Sequence, residues 1–256
     1  RLYIVSEDFD GYSKLETGLR AELLRKITKK FEIGAFAWAR EVEVNPTGID
    51  PLELGPTSYL VNSVGLTQTL DLRDTAVNTS RGLVFNASED VASSAIGSSI
   101  NFMRATFRIS YYVPIKKTLL AFGARAGIIK PFGDTDQIPI DERFFNGGSR
   151  SVRSFSEREL GPRDINKFPV GGETFSTFNI EYTIPVVGDL AVAVFTDAGS
   201  IGRTVGDGVG EMRYGVGAGL RYKLPVGPLR LDYGINPSPK GDEASGAFHF
   251  SFGFAF

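Results

Sequence analysis

From Tyr214 to its last residue the chain alternates apolar and polar side chains with a period of two, and no other feature constrains its fold as tightly. Successive residues of a strand point to opposite faces of a sheet, so such a run makes a strand with one apolar and one polar side. Tyr214, Val216, Ala218, Leu220, Tyr222 and Leu224 share one face, and Gly215, Gly217, Gly219, Arg221 and Lys223 share the other. Past Val226-Gly-Pro228 the pattern resumes, with Leu229, Leu231, Tyr233 and Ile235 set against Arg230, Asp232, Gly234 and Asn236. The chain closes on five alternating phenylalanines, Phe248, Phe250, Phe252, Phe254 and Phe256. Periodicity alone also fits a sandwich or a soluble barrel. The bulk of the apolar face and the small or charged character of the other favour a sheet that meets lipid outside and encloses water inside.

Further strand-like runs lie near 12–24, 31–45, 57–74, 81–93, 98–115, 118–131, 175–187 and 189–202, with a shorter one at 2–9. Together they predict an all-β chain, a transmembrane antiparallel β-barrel of about twelve strands in a single domain, 1–256. Single bacterial chains form barrels with even strand numbers, which favours counting the short first run. Connections such as Pro114-Ile-Lys-Lys117 and Pro225-Val-Gly-Pro228 are tight, whereas Asn45 to Thr57, Gly202 to Glu211 and Asn236 to Ser245 are longer and polar. Short turns on one rim and long loops on the other are the usual asymmetry of such barrels. No apolar run reaches the ~20 residues of a membrane-spanning helix. With 28 basic and 30 acidic residues, no strong net field points to nucleic acid.

Chemistry in the covalent sense finds little support. Cysteine is absent, which removes thiolate metal sites and cysteine nucleophiles. His249 is the single histidine, so no two-histidine metal site exists, and no Gly-x-Ser-x-Gly elbow accompanies it. No metal, cofactor or enzymatic activity is expected. His249, Arg104, Arg108 and Arg125 read as lining residues of the polar face.

One connection stands apart, running from Pro131 to Thr174. A loop of that length inside a compact domain is usually functional. It carries Gly147-Gly148 followed by Val152-Arg153-Ser154-Phe155. A later strand carries Phe195, Asp197 and Gly199 in a Phe-x-Asp-x-Gly pattern, and Gly227-Pro-Leu-Arg-Leu-Asp232 precedes the last hairpin. In these elements, in their order, and in a final strand ending on Phe256, the chain resembles the superfamily of outer-membrane assembly and translocation barrels (BamA/TamA-like, bacterial surface antigen family). Serine 154 stands where that family has glycine, and serine does not easily take a left-handed φ, so a different local turn is expected.

The resemblance implies that loop 132–174 folds into the lumen and that Arg153 meets an inward carboxylate, for which strand parity offers Glu181 and Asp197. It implies a bacterial outer membrane, or alternatively that of an organelle. The implied partners are lipopolysaccharide and phospholipid, unfolded client outer-membrane proteins, and periplasmic or lipoprotein accessory subunits. The implied function is insertion or translocation of clients through a lateral gate between first and last strands, with Phe252, Gly253, Phe254 and Phe256 forming the C-terminal signal and seam. Gly253, lacking a side chain to pack, is expected to weaken that seam within the last strand. Two alternatives stand beside it, a two-partner-type secretion pore and a barrel anchor for a passenger such as a patatin-like lipase. Family members usually have sixteen strands, so the chain also reads as the C-terminal part of a larger barrel, and the family's POTRA domains are expected to be absent from it.

Overall fold

A computed structural model describes residues 1–253; the expected seam residues Phe254 and Phe256 lie outside the described residues. Twelve antiparallel strands form one sheet in which each is hydrogen-bonded to its sequence neighbours. They are β1 (Leu2–Phe9), β2 (Tyr12–Lys26), β3 (Phe31–Pro46), β4 (Ser58–Asp71), β5 (Gly82–Ala92) and β6 (Phe102–Ile115), then β7 (Thr118–Pro131), β8 (Thr174–Val187), β9 (Leu190–Gly202), β10 (Arg213–Tyr222), β11 (Leu229–Ile235) and β12 (Gly246–Phe252). A single α-helical turn, α1 (Pro51–Leu54), is capped by Asp50, whose side chain accepts from the Leu52 amide.

Strands β4, β6 and β10 start or stop short of the sequence reading, β10 ending at Tyr222 rather than Leu224. The run near 98–115 begins at Phe102 because Ser93 caps a short 3-10 turn and Gly97 takes a left-handed φ of 82°. The run near 57–74 ends as a strand at Asp71, and beyond it Asp74 accepts the amides of Thr75 and Ser80 within the turn into β5. Gly253 is corrected from strand to bend: β12 ends at Phe252, and Gly253 follows with φ of 91° and donates its amide to the Pro228 carbonyl.

Alternation of faces holds around the sheet. On β9, Val194 is exposed while Ala193, Phe195 and Asp197 are buried; on β11, Tyr233 and Ile235 are exposed while Arg230 and Asp232 are buried. The sheet wraps around the loop between β7 and β8. Arg158 of that loop reaches the Tyr12 hydroxyl on β2, and the same loop packs its Arg153 backbone against Gly234 on β11. On the short-turn rim the β4–β5 connection also crosses to the far wall, where Asn78 Nδ2 donates to the Leu224 carbonyl at 3.0 Å.

The inner face is less uniformly wet than the alternation at the C-terminus suggests. Toward the long-loop rim the inward side chains Val42, Val44, Val61, Phe102 and Ile129 are apolar. Ile138, Ile140 and Val170 of the long loop pack onto them and complete a buried cluster. The loop is therefore seated by hydrophobic burial at this end, at roughly 25 cal/mol per Å² of apolar surface removed from water.

Candidate functional site

The long loop turns into the interior through Gly147 and Gly148, whose φ values of 98° and 109° suit glycine alone without strain. Gly148 N donates to Phe155 O at 3.1 Å, closing the segment 148–155 into a compact turn. Val152 and Phe155 then bury against Leu160, Phe175 and Ile201. Gly199 of β9 makes the space, since a Cβ there would lie 2.6 Å from Val152 Cγ2. With its neighbours pinned, Arg153 points at the wall formed by β8 to β11 and is 1 % exposed.

Arg153 is held on every side. Its Nε and Nη2 grip Asp197 at 2.8 Å each, and its own backbone amide donates to Asp197 Oδ2 at 3.0 Å. Nη1 donates to Glu181 Oε2 at 2.5 Å. The guanidinium lies 3.4 Å from the centroid of the Phe195 ring, a cation–π contact on the fourth side. Burial alone would lower the Arg153 pKa, but the surrounding carboxylates outweigh it and hold the pKa above its ordinary value. The strand residues Phe195, Asp197 and Gly199 thus serve the loop residue in three ways: by stacking, by pairing and by leaving room.

The network extends beyond the residues read from the sequence. Arg221 binds Glu181 through Nη2 at 2.8 Å and Asp232 through Nη1 at 2.6 Å, and Arg230 Nη2 lies 2.8 Å from Asp232. Three arginines therefore face the three carboxylates Glu181, Asp197 and Asp232, and the formal charges cancel. Asn179 bridges loop and wall, donating to Asp197 Oδ1 at 2.7 Å and to Ser151 O at 2.6 Å. His249 Nε2 sits 3.1 Å from the Arg153 carbonyl. Parity alone put Arg221, Arg230 and Asp232 on the inner face, but their convergence depends on register: Asn179 pairs with Asp197, Asp197 with Gly215, and Gly219 with Asp232.

Ser154 does not adopt the left-handed conformation that a glycine would tolerate, because the positive φ angles of this turn fall on Gly147 and Gly148. Its side chain instead lies against Gly215, where a Cβ would collide with Ser154 Oγ. Gly234 makes the matching gap for the Arg153 carbonyl.

A second anchor was not legible in the sequence. Glu142 of the loop is 3 % exposed and lies 2.7 Å from Arg40 of β3 and 3.1 Å from Arg104 of β6. Arg104 also takes Asp90 in a two-pronged bond, both contacts at 2.9 Å, and so is a paired residue rather than a solvated lining one. Burial pushes Glu142 up, but Arg40 and Arg104 outweigh it and keep its carboxyl below the usual range. Next to it Asp141, bonded to the Tyr59 hydroxyl, is pushed up to about 6 by burial and by the charge of Glu142. Among the described residues no cluster of histidine, cysteine, aspartate and glutamate has the geometry to hold a metal ion.

A twelve-stranded antiparallel sheet with an apolar outer face, wrapped around a loop bound to its inner wall by buried ion pairs, defines a transmembrane β-barrel of the outer-membrane class. The Omp85 superfamily domain model matches residues 5–256, and the chain belongs to that superfamily. Over 218 residues it is 27% identical to the outer membrane protein assembly factor BamA of Neisseria meningitidis, covering 72% of this chain and 27% of that protein. The chain thus spans about a quarter of the length of that relative. The solved BamA of Haemophilus ducreyi lacking POTRA domains 1-3 superposes with a TM-score of 0.80 at 17% identity, over 93% of this chain and 54% of that one. CdiB from Acinetobacter baumannii gives a TM-score of 0.61 at 15% identity, over 94% of this chain and 42% of that one. This chain is an outer-membrane protein.

Proposed function

We propose that the chain is the membrane part of a factor that inserts unfolded outer-membrane proteins, acting mechanically and with no covalent step. The observation that carries this reading is the contrast between the two ends of the C-terminal wall. β8 and β9, of 14 and 13 residues, are clamped to the loop through Glu181 and Asp197, whereas β12 is described over seven residues and is followed by a bend at Gly253. A short terminal ladder costs little to open, and an opened strand offers unpaired amides and carbonyls that template an incoming client strand. In this reading the loop braces one wall while the last strand acts as the gate to lipid, and periplasmic or lipoprotein subunits deliver the client.

Secretion through the lumen is the second reading. It requires the loop to leave, against the cost of stranding buried charges at both anchors.

The test is to reconstitute the full-length protein into phospholipid liposomes and follow the folding of a small client barrel together with ion conductance. Acceleration of client folding by the wild type, and its loss with Arg153→Ala in protein that still folds, supports the insertion reading. Conductance or protein passage without any acceleration overturns it in favour of a secretion pore.

A further inference from the structure

Five interior arginines, Arg40, Arg104, Arg153, Arg221 and Arg230, each lie within 2.9 Å of a carboxylate oxygen. Arg108 and Arg125 do not, although they too point inward. They face each other directly across the β6–β7 ladder, where like charges repel. The long loop comes down onto this pair, where the Arg150 carbonyl accepts from Arg125 Nη1 at 2.9 Å. Among the described residues no ion pair reaches either arginine, and Arg108 Nε is shielded from solvent without a hydrogen-bond partner. Glu157 is within electrostatic reach of Arg125 but forms no hydrogen bond with it. Arg108 and Arg125 border a cavity of about 570 Å³, into which Thr106, Ser88 and Thr69 also face, with Glu22 and Glu32 on the opposite side from β2 and β3.

We propose that Arg108 and Arg125 form an oxyanion site in the barrel interior that takes a phosphate group carrying two or more negative charges. This goes beyond the insertion reading and does not rest on it. Two guanidiniums paired across a ladder with no carboxylate in ion-pair range are stabilised when a counter-charge enters, because in a partly desolvated lumen their mutual repulsion is weakly screened. Phosphate fits better than a monovalent ion, since its several oxygens accept from more than one guanidinium fork at once. Hydroxyl groups on the same cavity wall supply further donors to the remaining oxygens.

The experiment is calorimetric titration of the full-length protein, folded in detergent, with inorganic pyrophosphate, with short-chain phosphatidic acid and with a glutamate-rich peptide. Saturable pyrophosphate binding is expected, weakened at least tenfold in Arg108→Gln and in Arg125→Gln, and partly retained in Arg108→Lys. Phosphatidic acid competing with the same arginine dependence supports a lipid headgroup as the source, and pyrophosphate binding without such competition supports a free phosphate. Because the site is under repulsion when empty, Arg108→Gln is also expected to unfold at higher urea than wild type without anion, and to lose that advantage when pyrophosphate is added. Absence of pyrophosphate binding to the wild type, equal binding in the double variant Arg108→Gln/Arg125→Gln, or binding of the glutamate peptide alone overturns the proposal.

Discussion

Arg153 meets Asp197 three times, through its backbone amide, its Nε and its Nη2, so that one carboxylate fixes both the position of the loop backbone and the plane of the guanidinium. A lysine would keep the charge and lose the fork. The contact therefore specifies geometry as well as charge.

Removing either partner strands the other in a buried site, at a cost of roughly 3–5 kcal/mol. Arg153→Ala and Asp197→Ala are each expected to lower the urea midpoint of the refolded barrel, with Arg153→Lys intermediate. The double variant should cost much less than the sum of the two, and a double-mutant cycle measures that difference. Additive effects would show that the two side chains act independently.

Gly234 leaves room for the Arg153 carbonyl, and a Cβ at this position collides with backbone rather than with a movable side chain. Gly234→Ala is expected to push the 152–155 segment off the wall at a cost of about 1–3 kcal/mol. Limited trypsin digestion reads the displacement directly, since Arg150 and Arg158 flank the segment and should be cut faster than in wild type.

The loop should also respond to pH through Asp141. Its carboxyl, ordinarily near 3.8, is pushed up to about 6 in the folded chain. A folded-state pKa above the unfolded one means that protonation favours the folded form. The stability it contributes is complete below about 3.8 and is lost as pH rises to about 6. Glu142 works in the opposite sense, but its lowered pKa confines its effect to pH values below its unfolded 4.5. Between pH 7 and pH 5 the wild type is accordingly expected to gain about 1 kcal/mol of stability, and Asp141→Asn to show a flatter profile. Urea titrations at a series of pH values distinguish the two curves.

Val194 lies near the middle of β9 with its side chain on the outer face, between the inward residues Ala193 and Phe195. If that face meets hydrocarbon, Val194→Arg costs about 2–4 kcal/mol when the barrel folds into lipid vesicles. The same substitution should cost far less in a detergent micelle that lets the arginine reach water, and equal costs in both would argue against lipid contact there.

The sequence by itself determined which segments become strands and which side of each faces lipid, because the period-two pattern is a property of local backbone geometry. Tyr233 and Asp232 take opposite faces for that reason alone. The sequence also marked the 132–174 connection and, through resemblance, the pairing of Arg153 with the inward carboxylates Glu181 and Asp197. Only the tertiary structure decided which inward residues meet. Arg221, Arg230 and Asp232 join the Arg153 network through the register of β8 to β11, and a slip of one residue would turn each of them toward lipid. Glu142 finds Arg40 and Arg104, 102 and 38 residues away, because the loop crosses the interior along a path set by its apolar seating. No local pattern encodes that path, and for the same reason the unpaired state of Arg108 and Arg125 emerged only once the loop and the curved sheet had been brought together.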